Sequence, residues 1–303
     1  MRSNNKIKLL LPFVFICLIF NFVDIDASKI ISNIEETNKP ILFSSILVFI
    51  FIFYAQTLRF TYLFPYKISS IGLFQLNLAS QSLNLVLPGQ ISSEIYKFIK
   101  LNKLSKSKEL TAFTLVIDKA LGFTASIGFG IGCIYFGNIL FPQLYPLQFN
   151  FLYLFFVIIF IPFIPACKKH YQKITNKLNL RTWLKKVKWR GLVLMTLASA
   201  ILRAARFYLL ALSLNIELNI YGCFVLVALT QMSIFIPSVS GSLGVLEGIL
   251  IFSLSLLNIS TDEALVFSIL NRLSIILIGC FGAAIFILKK KEYCGHTEKR
   301  RTL

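Results

Sequence analysis

The chain has 303 residues, 56% of them hydrophobic and 15% charged, with a mean hydropathy of +0.76; this excludes an ordinary soluble domain and points to a polytopic membrane protein. The formal net charge of +18 would suit a nucleic-acid binder, but the basic residues sit in short segments between apolar runs instead of along one polar face. The expected fold is therefore all-α, without nucleic acid as a partner.

The first apolar run covers residues 7–23, and Arg2, Lys6 and Lys8 precede its uncharged stretch, Leu9 to Val23. Asp24, Asp26, Ala27 and Ser28 make a poor cleavage site after it, so it reads as a retained signal anchor. Residues 41–64 form a second spanning run. Residues 68–88 are apolar but broken by Ser, Asn, Gly and Pro. Three more runs, 110–137, 149–167 and 191–214, are long enough to cross a hydrocarbon core of about 30 Å. A second broken run covers 220–257, and a last span covers 264–288.

Charge orders the loops. Lysines 97, 100, 103, 106 and 108 follow the first broken run, nine Lys or Arg lie between Lys168 and Arg190, and six more fall in the tail 289–303. These segments are expected to be cytoplasmic by the positive-inside rule. Asp24, Asp26, Glu35, Glu36, Glu217, Asp262 and Glu263 mark the opposite connections. Six full spans with both termini inside then require each broken run to begin and end on one face, as a re-entrant hairpin or a pair of short helices. Span, hairpin, span occurs twice with opposite orientation, over 41–137 and 191–288, which is the pattern of an inverted repeat in a transporter. The expected location is the plasma (inner) membrane.

The repeat extends to single residues. Pro88-Gly89, Glu94 and Asp118-Lys119 are matched by Pro237, Glu247 and Asn271-Arg272, with 25 residues from the glutamate to the cation in both copies. Gln81 and Arg59 precede the first proline much as Gln231 and Arg206 precede the second. Asp118, Lys119, Arg203, Arg206, Glu247 and Arg272 all fall in spanning or broken segments, where a charge at a helix centre costs about 2.5–3.5 kcal/mol. Such groups are expected to be paired or hydrated. Arg203 and Arg206 are three apart and share one helix face, where they present two positive charges to one cavity wall. Guanidinium binds phosphate or carboxylate in bidentate fashion, which suits an anionic lipid head group. Lys119 and Arg272, each about eight residues into a helix, reach roughly 12 Å toward the midplane. Ion pairs that lock helices together are the other reading of the set.

In the broken runs, Pro237 removes a donor while Gly241 and Gly244 permit close backbone approach. Unwound backbone at membrane depth is tolerated beside protein or a water-filled cavity, and a half-helix starting near Gly244 would aim its amides there. Pro88 and Gly89 supply the same ingredients in the first copy. Gly128 and Gly132 form a small-xxx-small spacing expected at a helix contact. The six cysteines form no CxxC pair and the two histidines, His170 and His296, lie in basic segments. With no hydrolytic or nucleotide motif present, neither an enzyme nor a metal or cofactor site is expected.

Asn84 to Gln90 through Glu94, then Val116-Ile117-Asp118-Lys119-Ala120-Leu121-Gly122, then Phe235 through Glu247, together resemble the lysylphosphatidylglycerol synthase transmembrane family, the flippase-like membrane domain. The resemblance covers about residues 7–288. It implies an inner-membrane protein that moves lipids or lipid-linked precursors between leaflets, with Pro88, Gly89, Glu94, Asp118, Pro237, Gly241, Gly244 and Glu247 as functional positions. Ser93 stands in place of a family Gly, Lys119 in place of Arg, and Ser240 and Ser242 interrupt the glycine run. The tail 289–303 leaves no room for a fused aminoacyl-transfer domain, so lysyl-lipid synthesis is not expected of this chain.

The resulting expectation is translocation of an anionic phospholipid or lipid-linked glycan. Arg203, Arg206 and Arg272 hold the head group in that reading, while Glu94 and Glu247 gate the change. Membrane lipids are the expected partners, with envelope-biosynthesis proteins as further candidates. Two rivals are a membrane-embedded head-group transferase and a non-transporting assembly factor for envelope polysaccharide synthesis.

Overall fold

The computed structural model describes residues 32–66, 68–86, 91–105, 107–140, 187–231 and 244–298, together with 183, 185 and 233. Among these the ordered structure is helical throughout: α1 (Lys39–Leu63), α2 (Ser70–Val86), α3 (Ile91–Asn102), α4 (Lys108–Leu140), α5 (Trp189–Ser213), α6 (Ile220–Gln231), α7 (Val245–Ser255) and α8 (Thr261–Glu298). The chain is an all-α membrane protein. Four described segments are long and apolar enough to span, at Lys39–Leu63, Lys108–Cys133, Trp189–Ser213 and Thr261–Ile285. The expected spans at 7–23 and 149–167 lie outside the described residues, as do Pro88, Gly89, Pro237 and Gly241.

Local chemistry sets the ends of these helices. Asn38 accepts from the Ile41 amide at the start of α1, and Pro65 follows directly after the last residues of that helix, where it cannot continue the ladder. Ser107 accepts from the Leu110 amide before α4. Before α8, Ser260 and Glu263 exchange side-chain and backbone hydrogen bonds, a reciprocal box that satisfies two donors. Gly244 precedes α7 at a φ of 82°, a conformation that costs a glycine little. Its N–H donates to Glu247 Oε2 at 2.7 Å.

The first broken run turns back later than its apolar residues suggest. After α2 the chain returns as α3, so the return limb includes Lys97 and Lys100, which the sequence places in a basic loop. Asn84 ties the two limbs together: its Oδ1 accepts from Ser92 Oγ and from the Ser93 amide, both at 3.1 Å.

Each quartet of helices has a core of its own. Phe60, Leu73, Leu76, Leu101 and Leu115 join α1 through α4, while Phe207, Leu226, Leu250, Phe267 and others join α5 through α8. The quartets also interlock. α1 packs along α5, α2 along α8, and α6 along α4.

Glycine decides how closely the last two pairs approach. A Cβ on Gly130 of α4 would run into the Ala228 side chain of α6, and one on Gly282 of α8 would run into the Leu78 carbonyl of α2. Gly128 and Gly132, expected at this contact from their spacing, have open space beside them instead. Two residues along a helix is roughly 200° around it, which explains why the neighbouring phase makes the contact. Outside the cores, Phe43, Leu47, Phe51 and Tyr54 line an exposed apolar face of α1, as Leu273, Leu277 and Phe281 do on α8. Such faces suit hydrocarbon as solvent.

Candidate functional site

A cavity of about 900 Å³ opens where α1 to α6 converge, with Asn271 and Ile275 of α8 also on its wall. Phe49, Ile52, Phe53, Leu73 and Val227 give it apolar surface. Against them stand five cationic side chains, Arg59, Lys97, Lys119, Arg203 and Arg206, and two carboxylates, Glu94 and Asp118. The described lining therefore carries a formal excess of three positive charges. An anion is the complementary guest, because an uncompensated charge in a low-dielectric wall is costly without a partner.

Arg59 anchors the first half. Its Nε donates to Asp118 Oδ1 at 2.7 Å and its Nη2 to Oδ2 at 3.0 Å, a bidentate pair across α1 and α4. Both groups are largely buried, with side-chain exposures of 3% and 14%. Gly122, one turn beyond Asp118, makes the room: a Cβ there would stand 2.8 Å from Arg59 Nη1. The sequence marks Arg59 through the repeat without placing it in the site. Glu94 lies beside this pair and accepts from Lys119 at 3.0 Å and Lys97 at 3.1 Å. Lys97 was not expected there.

The second half repeats the arrangement with different residues. Arg206 Nη2 donates to Asn271 Oδ1 at 2.8 Å, and its guanidinium lies 4.0 Å from the centre of the Phe49 ring. Arg203, one turn earlier, donates to Ser126 Oγ at 2.7 Å. Glu247 pairs with Arg272 across α7 and α8, with its second oxygen on the Gly244 amide.

The structure thus brings Glu94, Asp118, Lys119, Arg203 and Arg206 to one cavity. Glu247 and Arg272 pair with each other outside the set of lining residues, so Arg272 is not placed with the other two arginines. Of the hinge residues, Gly244 alone is described, as the left-handed residue that starts α7. Gln81 and Gln231, noticed only as markers of the repeat, both line the cavity. Thr57 accepts from Asn77 Nδ2 at 2.7 Å within the first core, a buried polar link between α1 and α2.

Fold and site together define an all-helical membrane protein with a cationic, half-apolar cavity between two similar helix quartets. Its family is shown by sequence: the model of the lysylphosphatidylglycerol synthase TM region matches residues 7–282, and the chain belongs to that family. Neither a curated protein nor a solved structure matches the chain.

Proposed function

We propose that this chain binds an anionic phospholipid or lipid-linked glycan in the cavity and moves it between the leaflets of the plasma (inner) membrane. The observation that carries the reading is the formal excess of three positive charges on a wall that also bears phenylalanine and aliphatic side chains. A head group meets the cations while a chain lies against the apolar side. The family match supports a lipid as the guest.

Alternating access in this reading comes from two inverted repeats with both termini cytoplasmic. Helix packing supports a two-fold relation between the quartets: exchanging α1–α4 for α5–α8 turns the α2–α8 contact into the α6–α4 contact and leaves α1–α5 as its own counterpart. The ion pairs follow the same exchange, since Glu94, Asp118 and Lys119 lie 153 residues before Glu247, Asn271 and Arg272. Glu94–Lys119 and Glu247–Arg272 fasten α3 to α4 and α7 to α8, so each is placed to hold one hairpin until a state change releases it. The activity proposed is transport without chemical turnover, in company with envelope-biosynthesis proteins.

The test is a reconstituted flip assay with head-group-labelled phosphatidylglycerol in sealed vesicles. Wild type should make inner-leaflet label accessible to an external quencher, and Arg206→Ala should reduce the rate to that of empty vesicles. Equal rates for wild type and empty vesicles would defeat the transport reading. Turnover of a lipid-linked substrate by the purified chain would favour a transferase instead.

A further inference from the structure

We propose that the anion subsite of the cavity is the Arg206–Arg203 turn of α5, and that Asn271 is the specificity-determining residue that keeps it open to a phosphate-bearing ligand. The assignment deepens the lipid-transport reading and rests on it.

The two halves provide an internal control. In the first, the Nε–Nη2 edge of Arg59 is filled by both oxygens of Asp118. In the second, the same edge of Arg206 meets Asn271 at the position equivalent to Asp118. An amide has one acceptor oxygen and, where a carboxylate has its second oxygen, a donor. The consequence is visible: Arg206 Nε is buried with no hydrogen-bond partner among the described residues, in a residue only 6% exposed.

Among the described residues its charge is also left without an opposite one. Asn271 is neutral, and the Phe49 ring at 4.0 Å holds the guanidinium without neutralising it. Arg203, the neighbour on the same face, donates to the neutral hydroxyl of Ser126. Two guanidiniums hydrogen-bonded to neutral partners therefore share one stretch of cavity wall; Arg203 also lies near the Arg59–Asp118 pair, which leaves Arg206 as the one set against neutral groups among the described residues. A phosphate monoester or diester supplies two oxygens at the spacing of the Nε–Nη2 edge and the charge that Asn271 lacks. Because Nε lies under the wall, the ligand takes the edge by displacing the Asn271 amide. One hydrogen bond from a neutral acceptor yields to a charged bidentate guest; a carboxylate there would not.

Asn271→Asp tests this directly, because it gives Arg206 the partner that Arg59 already has. Dioleoylphosphatidylglycerol, and separately inorganic phosphate, would be titrated into the purified detergent-solubilised chain and binding followed by intrinsic fluorescence. Asn271→Asp should weaken lipid binding by about tenfold or more, the scale of one lost charge-assisted interaction. Asn271→Ser, which leaves the cation uncompensated, should weaken binding less than Asn271→Asp does, and equal losses in the two variants would overturn the assignment. Without ligand, Asn271→Asp should melt no lower than wild type, so its loss of binding is not a loss of fold.

A response by lipid alone supports a lipid head group as the source of the phosphate; a parallel response by inorganic phosphate supports the subsite for the bare group as well. If wild type binds phosphatidylglycerol and Asn271→Asp binds it equally well, the assignment is overturned while lipid transport stands. If wild type binds neither probe, both are overturned.

Discussion

Two quartets of helices with one plan divide their charges differently. In α1–α4 an arginine meets an aspartate and a glutamate is shared by two lysines. In α5–α8 the equivalent arginine meets an asparagine and the equivalent glutamate has an arginine partner. The first quartet thus closes its Arg59 pair and leaves cationic excess around Glu94; the second closes the Glu247 pair and sets Arg206 against the neutral Asn271. The two quartets share a pattern of helix contacts, and at matching positions the arginine of one meets a carboxylate while the arginine of the other meets a neutral amide. Position alone does not determine which role an intramembrane arginine takes; the residue across from it does.

The largest effect should come from breaking the closed pair. Asp118→Ala strands a guanidinium that is 3% exposed, and removal of one partner of a buried pair costs about 3–5 kcal/mol. Asn271→Ala removes a neutral acceptor from the matching arginine and should cost about 1–3 kcal/mol. Equal losses in thermal or denaturant unfolding would erase the distinction between the two halves.

Next come the glycines at the crossed contacts. Gly282→Ala forces a methyl against the Leu78 carbonyl and Gly130→Ala against Ala228, so each should destabilise by about 1–3 kcal/mol. Gly128→Ala meets open space and should stabilise by up to about 1 kcal/mol through helix propensity. A reversed order would mean that α4 presents a different face to α6.

The smallest differences are those between variants of the hairpin fastenings. Glu247→Ala loses both the Arg272 pair and the acceptor for Gly244 N–H, whereas Glu247→Gln keeps an acceptor there. The two variants should differ by about 1 kcal/mol in stability, near the value of a helix cap. Lys119→Ala should cost about 0–1 kcal/mol, because its ammonium side is half exposed and Glu94 keeps Lys97. A larger loss at Lys119 than at Glu247 would reverse the roles of the two fastenings.

Much of this was legible in the sequence. The span cores at 41–64, 110–137, 191–214 and 264–288 match helices that start two or three residues earlier and cover them to within one residue; Asn38, Ser107 and Ser260 cap three of those starts. The family was legible as well, from the order and spacing of its proline, glycine and acidic motifs. Arg203 and Arg206 were readable as one face because their spacing is less than a helical turn.

Other features were hidden for physical reasons. α3 carries lysines at a density that reads as loop, although it is the return limb of a hairpin and turns Lys97 inward. Helices apolar on every side conceal their phase, so Gly128 and Gly132 were indistinguishable from Gly130. Arg59 was visible as a repeat marker, but its bond to Asp118 joins residues 59 positions apart, and no local pattern encodes such a partner. Arg272 resembled Arg206 in the sequence; only the fold gives it Glu247 and takes it off the cavity wall.

The central claim is that an anionic lipid occupies this cavity through Arg203 and Arg206. Native mass spectrometry of the purified chain addresses it most directly, with wild type beside the Arg203→Ala/Arg206→Ala double variant and Arg272→Ala. An anionic lipid should be retained by wild type and by Arg272→Ala and lost from the double variant. The same lipids retained without distinction by all three would contradict it.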